Sequence, residues 1–376
     1  MPHTLADVLP AVAASFGMDV DNSLELAPAR DVVLLLIDGL GAEPLARHRS
    51  VAPTLAAHAR TTLAAGFPAT TAVSIASLAL GAPCATHGII GYSFALPDPG
   101  GLRLLNSLRW RLDSATGADA RAAYPPETVQ SGTSRVQDLA AHGVEVHYVI
   151  PEYQRDSGLT RAALRATGVL HAASDLGQVR DGILTVAAHS DTASRFAYAY
   201  FPDLDATGHL YGPESPEWLA VLARIDACFA DLLTALPDTC TLLVTGDHGM
   251  IRAGRVIDLD ADERLHREVR LIAGEARVRH IYLDRPAALP DVQADWTGAL
   301  GAYARVVSRE QALDERWFGA TAPGPEIRRR IGDLIAVAHG DTVLVCPGRE
   351  PLESAMIGHH GAWTADEQLV PLIASA

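Results

Sequence analysis

The sequence predicts an α/β fold: a mostly parallel central sheet covered by helices on both faces, with a small α+β insertion. Three observations lead there. Short apolar runs recur at 31–37 (DVVLLLI), 145–150 (EVHYVI), 196–201 (FAYAYF) and 240–245 (CTLLVT), the texture of strands buried on both faces. Helical periodicity fills the intervals, most clearly over 217–235 (EWLAVLARIDACFADLLTA). Strands alternating with helices make βα units and hence a parallel sheet.

Beyond the DHGM string at 247–250 the texture changes. Residues 256–335 are rich in Arg, Glu and Asp, with strand-like VRHIYL and YARVVS and the helix-like REQALDERW. They are expected to form the small α+β insertion inside a single domain spanning 1–376. Two further apolar runs, LIAVA and TVLVC, are expected to lead the chain back to the main sheet. No repeat or low-complexity linker interrupts the chain.

Composition narrows the function. The 376 residues are 48% hydrophobic, enough for a large core. There are 30 basic and 45 acidic residues, a net charge of −15. That balance argues against a groove for duplex nucleic acid, which is built on phosphate neutralisation. It leaves room for a small phosphorylated substrate, because bound dications supply positive charge that side chains do not. Every basic residue is arginine, which excludes a P-loop lysine, a Schiff base and a lysine general base. Cys84, Cys228, Cys240 and Cys346 form no CxxC pair, so reduced thiols are expected rather than a disulfide framework or a zinc knot. The first residues, MPHTLADVLPAVAASFGMDVDN, lack a basic n-region and a long apolar stretch. A cytoplasmic protein with no membrane partner is the expectation; the oligomeric state stays open.

Three clusters carry the chemistry. Asp38 follows LLLI and precedes Gly-Leu-Gly, where a strand-end carboxylate leaves room for an ion. Taken alone it reads equally well as a turn aspartate. Asp205 and His209, in PDLDATGHLYGPES, are spaced i, i+4, so one helical turn or a compact loop aims both at one point. Asp247 and His248 follow CTLLVTG, and Gly246 and Gly249 permit the turn that brings both to one metal. Late in the chain, His359-His360-Gly361 offers an imidazole to complete a set with Asp205 and His209; His360, which precedes the glycine, is favoured. These acids each lie at or just beyond a strand's carboxyl end, where sites form in open α/β sheets.

The nucleophile candidates are Thr70 and Thr71, in GFPATTAVS. The following TAVSIASLALG reads as a helix, whose start presents free N–H groups and a positive dipole end to an anion. Either threonine could equally be an N-cap.

In order and spacing these motifs resemble the nucleotide pyrophosphatase/phosphodiesterase family of the alkaline phosphatase superfamily, over Asp31 to His360. DHGM and GHLYGPES are the most specific strings. The resemblance implies an alkaline-phosphatase-like core and two divalent metal ions, most readily zinc, with manganese or iron as alternatives. In that family the nucleophilic threonine lies ten residues before a glycine that a His-Gly follows. Gly81 and His87-Gly88 match those positions, which singles out Thr71. Asp205, His209 and His360 then match the ligands of one metal. Asp38, Asp247 and His248 match those of the other, with Thr71 bound to it. The implied activity is cleavage of a phosphodiester or pyrophosphate bond through a phosphothreonine intermediate.

One departure bears on specificity. Many nucleotide-cleaving relatives carry an asparagine shortly after the HGII-like string, where this chain has Gly91-Tyr92. Tyr92, Asn106 and Arg109 are therefore the candidate substrate contacts, and Trp110 a candidate stacking platform. A phosphomonoesterase and a phosphonate hydrolase are the alternatives on this frame. A non-catalytic, metal-stabilised binding protein is the alternative from another class. A sulfatase is disfavoured, since no CxPxR string is present.

Overall fold

The computed structural model describes residues 3–165, 168–188 and 192–375. The strand Asp31–Ile37 shows how the sheet becomes two-sided. All seven of its residues are buried. Val32, Leu34 and Leu36 join one apolar cluster, and Val33, Leu35 and Ile37 join another on the opposite face, as the two-residue period of a strand requires. The first face is covered by helices that include Val8–Ser15 and Thr71–Leu80. The second is covered by Leu176–Ala187 and Pro216–Ala235. The long helix begins as its sequence dictates: Ser215 accepts from the Trp218 N–H and Pro216 occupies the first turn.

The seven-stranded sheet runs Ala59–Ala64, Leu369–Ala374, Cys240–Gly246, Asp31–Ile37, Arg195–Phe201, Glu145–Ile150, Val169–Ala172. From Cys240–Gly246 to Val169–Ala172 every pairing is parallel. Leu369–Ala374 is antiparallel to both neighbours. The sheet is therefore mixed but mostly parallel.

A second, antiparallel sheet is built from Val269–Glu275, Val278–Leu283, Leu334–Ala338 and Ala304–Ser308, in that order. Trp296 and Leu300, on the helix Leu289–Leu300, pack into its core with Ile281 and Ala336. The LIAVA run belongs to this sheet, and Thr342–Val345 pairs with Arg255–Asp258. Neither run leads into the main sheet as the sequence suggested. The chain rejoins it only at Leu369–Ala374. Apolar content marks these runs as buried strands, but it does not say which sheet they join.

A three-stranded sheet, Ser93–Asp98, Gly101–Asn106 and Arg111–Leu112, flanks the rim. The four cysteines are buried and free. Among the described residues no helix is long and apolar enough to cross a membrane.

Candidate active site

In-register parallel pairing brings distant residues together. Ile37 lies opposite both Phe201 and Gly246, so Asp38 and Asp247 leave adjacent strands at one level of the carboxyl-end rim. The Gly39 N–H donates to Asp247 Oδ1 at 3.0 Å, and the Asp205 N–H donates to the Asp38 carbonyl at 3.0 Å. Gly39 has φ +79°, and a Cβ there would lie 2.9 Å from Asp205 Cα. Only glycine lets these two ligand segments pack so closely.

Asp205 and His209 share one side of the helix Asp203–Tyr211. His209 Nε2 is 3.2 Å from Asp205 Oδ2, and His360 Nε2 is 3.9 Å from Asp205 Oδ1. His248 Nε2 lies 3.4 Å from both Asp38 Oδ1 and Asp247 Oδ2. Within each trio, Asp205–His209–His360 and Asp38–Asp247–His248, one donor atom per residue falls within 4.8 Å of the others. The His248 and His360 rings stack with centroids 3.5 Å apart, so the trios adjoin. The six residues singled out in the sequence thus converge as two groups of three.

The imidazoles are oriented alike. Nδ1 of His209, His248 and His360 faces the carbonyls of Gly358, Gly249 and Ala69 at 2.8, 2.9 and 2.8 Å. A carbonyl only accepts, so Nδ1 carries the proton and each Nε2 turns its lone pair toward the cluster. On the acid side, Asp38 Oδ1, Asp205 Oδ1 and Asp247 Oδ2 are buried without a hydrogen-bond partner. Leaving such oxygens unmet costs about 1–3 kcal/mol each. Three orphaned carboxylate oxygens facing three imidazole lone pairs form a donor set that fits two dications.

The electrostatics carry the same strain. Burial, then the Asp247 and Asp205 charges, hold the Asp38 carboxyl well above the usual range, against the hydrogen bond donated by Tyr200. Burial also raises Asp205, but the charges of its histidine neighbours and the His209 hydrogen bond outweigh it and leave it low. Burial lowers His209, yet its pairing with Asp205 raises it overall. His360 is held well below its ordinary value by burial and then by His248.

Thr71 is the first residue of the helix Thr71–Leu80, and its Oγ1 lies 3.2 Å from His248 Nε2. Thr70 occupies the N-cap position and makes no side-chain capping bond. Both threonines line a chamber of about 460 Å³ that also reaches Asp38, Asp205, His209 and His360. A second chamber of about 630 Å³ adjoins it and shares Thr71, Leu108, Arg109, Thr116 and Tyr200. His359 is buried and faces the Met356 carbonyl, off the trios.

The proposed substrate contacts divide. Arg109 is exposed, lines both chambers, and its guanidinium makes no hydrogen bond among the described residues. Tyr92 lines the first chamber, but its hydroxyl donates to Glu353 Oε1 at 2.8 Å. Asn106 is buried off the chamber wall, with its Oδ1 accepting from the Arg109 N–H. Trp110 is buried too and donates to the Tyr124 carbonyl, so it offers no stacking face. Sequence reading missed Tyr200, which backs Asp38, and Glu275, Glu350 and Glu353, which bring carboxylates to the chamber wall. Burial raises Glu275 to about 8. The alternation of AYAYF could have placed Tyr200 near the rim. No local pattern marks the three glutamates.

The sequence model of the type I phosphodiesterase / nucleotide pyrophosphatase family matches residues 32–363, a span that holds both trios and Thr71. The chain belongs to that family. Human bis(5'-adenosyl)-triphosphatase ENPP4 is 36% identical over 81 residues, 19% of this chain and 18% of that protein. Human ectonucleotide pyrophosphatase/phosphodiesterase family member 7 is 32% identical over 111 residues, 27% of this chain and 24% of that protein. The matched stretches thus span less than a quarter of these relatives. Among solved structures, an inactive threonine-to-alanine variant of murine ectonucleotide pyrophosphatase / phosphodiesterase 5 in complex with AMP superposes with a TM-score of 0.67 at 18% identity, over 91% of this chain and 87% of that one. Phosphonoacetate hydrolase from Sinorhizobium meliloti, in complex with phosphonoformate, gives 0.67 at 20% identity, over 92% and 90%. At these identities what is shared is the fold. The phosphodiesterase-family core is the alkaline-phosphatase-like α/β fold expected from the sequence.

Proposed function

We propose that this protein is a two-metal hydrolase that cleaves a phosphodiester or pyrophosphate bond of a small substrate, with Thr71 as nucleophile. The observation that carries the reading is the convergence of the two trios beside one threonine hydroxyl at a helix start. Asp205, His209 and His360 would hold one ion, and Asp38, Asp247 and His248 the other. The mixed imidazole and carboxylate set suits zinc best, then manganese or iron. Bound there, a pair of dications neutralises charge building on the phosphoryl oxygens and makes the Thr71 hydroxyl acidic enough to react.

Thr71 Oγ attacks phosphorus in line. The new O–P bond forms as the bond to the leaving oxygen breaks, giving a phosphothreonine that water then cleaves. The N–H groups that open the helix Thr71–Leu80 point at the phosphoryl oxygens and stabilise their charge. Arg109, free of protein partners and between the chambers, grips the anionic part of the substrate. One structural neighbour supports the nucleophile: its inactive form is a threonine-to-alanine variant.

Two chambers meeting at Thr71 favour a diester or pyrophosphate over a monoester, because such substrates carry a group on each side of the reacting phosphorus. The test compares bis-p-nitrophenyl phosphate with p-nitrophenyl phosphate on zinc-loaded protein. Faster turnover of the diester is expected. Preference for the monoester would overturn the diesterase reading, and no turnover of either with zinc bound would favour a binding protein.

A further inference from the structure

Both trios depend on loops of the main domain, yet the second sheet reaches those loops through one buried ion pair. Arg277 sits at the hairpin tip between Val269–Glu275 and Val278–Leu283. It donates from Nε to Glu367 Oε1 at 2.8 Å and from Nη2 to Glu367 Oε2 at 2.7 Å, with both side chains at 0% exposure. Its remaining donors go to the carbonyls of Thr342 and Gly340. Glu367 is equally occupied: Oε1 accepts from the Ala362 N–H at 2.9 Å, and Oε2 accepts from the Thr364 hydroxyl at 2.7 Å. Its backbone carbonyl accepts from the Gly249 N–H at 2.9 Å.

These contacts land next to the metal ligands. Gly249 follows His248, and its carbonyl orients that imidazole. Ala362 lies two residues past His360. The hairpin tip also lies flat on Gly361, where a Cβ would meet Glu275 Cγ at 3.0 Å and Arg277 Cβ at 3.1 Å. One carboxylate residue thus touches the loop of each trio, and one arginine fixes that residue to the second sheet. A buried ion pair contributes little net stability compared with apolar residues of similar size. What the bidentate geometry adds is direction.

We infer that Arg277 and Glu367 form a positioning clamp that sets the two ligand loops relative to each other, so that removing it weakens both metal sites together. The inference rests on the two-ion reading given above. It makes the second sheet part of the metal centre's support.

The test uses the full chain and Zn²⁺ in competition with a chromophoric chelator, with the absorption spectrum of the Co²⁺-substituted protein as a second readout. The double variant Arg277→Met/Glu367→Met removes both charges at once, so that neither is left buried and unpaired. It is expected to fold, to bind zinc about tenfold or more weakly at both sites, and to shift the cobalt bands. Trp296→Phe, which perturbs the core of the second sheet away from the ligand loops, should leave zinc affinity unchanged. A folded double variant that binds zinc like the parent overturns the clamp. So does an equal loss in Trp296→Phe, which would trace the effect to general loosening. If the double variant does not fold, Thr364→Ala decides: it removes a single hydrogen bond to Glu367, and zinc affinity should fall about threefold or more, an unchanged affinity overturning the clamp. A parent that takes up no zinc sinks the two-ion reading and the clamp with it. A parent that binds two ions, beside a double variant that binds them as well, sinks the clamp alone.

Discussion

Zinc should stabilise this protein more at pH 7.5 than at pH 5.5, and the structure gives the sign of the difference. Asp38 is held well above its ordinary value and His209 is raised above 6.5. In each trio one group therefore holds a proton to higher pH than usual and competes more strongly with an incoming ion as pH falls. Suppose free zinc is buffered 100-fold above each dissociation constant at pH 7.5. Each site then adds about 2.7 kcal/mol, and the two together about 5.4 kcal/mol. Unfolding entropy scales as about 2.1 cal/mol/K per residue, so 376 residues give about 0.8 kcal/mol/K and a Tm rise of about 7 °C. Each displaced proton costs up to about tenfold in affinity per pH unit. At that upper limit the same zinc at pH 5.5 sits near each dissociation constant, adding about 0.4 kcal/mol per site and about 1 °C in all. The chelated protein should behave in the opposite sense. A carboxyl or imidazole whose folded value is raised favours folding at low pH, and that contribution is lost as pH rises through the folded value. Asp205 is shifted down, so its contribution is complete above about pH 4 and does not distinguish the two conditions. Calorimetric scans with and without buffered zinc at both pH values read all four states. Equal zinc-induced shifts at pH 5.5 and 7.5, or no shift at either, would refute the argument.

Three further outcomes follow from single residues. Thr71→Ala should bind zinc normally and keep its Tm within about 2 °C while turnover falls by about 10³-fold or more, with Thr71→Ser restoring part of it; near-parental turnover in the alanine variant, measured on the diester, removes the covalent role. Arg109→Ala should raise KM about tenfold and change kcat by less than about twofold, because its guanidinium grips substrate without contacting the trios; an unchanged KM places the substrate elsewhere. Gly39→Ala forces a side chain into left-handed backbone and against Asp205, which should cost at least about 2 kcal/mol and abolish zinc uptake; a stable variant that still binds two ions would show the Asp38 and Asp205 segments to be less tightly packed than the geometry requires.

The legible parts of this fold were those with strong local signals. The four apolar runs became four adjacent strands because a strand buried on both faces must be apolar at nearly every position, as Val32 to Ile37 are. Ala59–Ala64 gave no such signal: it is an edge strand with four exposed residues, and ARTTLA reads as a loop. Leu369–Ala374 contains a proline, which the antiparallel pairing near the edge tolerates. The six residues that converge as two trios could be read because the proposed metal chemistry restricts residue type, and helix and strand periods restrict spacing. The chamber wall could not. Glu275, Glu350 and Glu353 reach it from a sheet and from the start of the short helix Pro351–Ser354, whose docking depends on long-range packing, and each looks like an ordinary surface acid in the sequence. Asn106 and Trp110 err in the other direction. Their chemistry suited a substrate, but the short sheet that includes Gly101–Asn106 buries both, and local sequence does not report which side of a hairpin faces the core.

The acids and the histidines of the trios are held by different means. Asp38 and Asp247 are fixed by strand register: once Ile37 pairs with Gly246, their backbone positions follow. The histidines sit on segments past the strand ends, so register alone cannot aim them. His209 and His360 are oriented instead by carbonyls from distant segments and His248 by that of the next residue, and His360 reports on Ala69, one residue before the two threonines. The Ala69 N–H in turn donates to the Gly361 carbonyl at 2.9 Å. The loop that carries Thr70 and Thr71 and the loop that carries His360 therefore hold each other in a reciprocal pair of bonds. A displacement of the His360 loop therefore moves the backbone that carries Thr71. Mutations in the 358–367 segment should accordingly lower kcat and metal affinity together, whereas changes in the chamber wall at Arg109 act on KM alone.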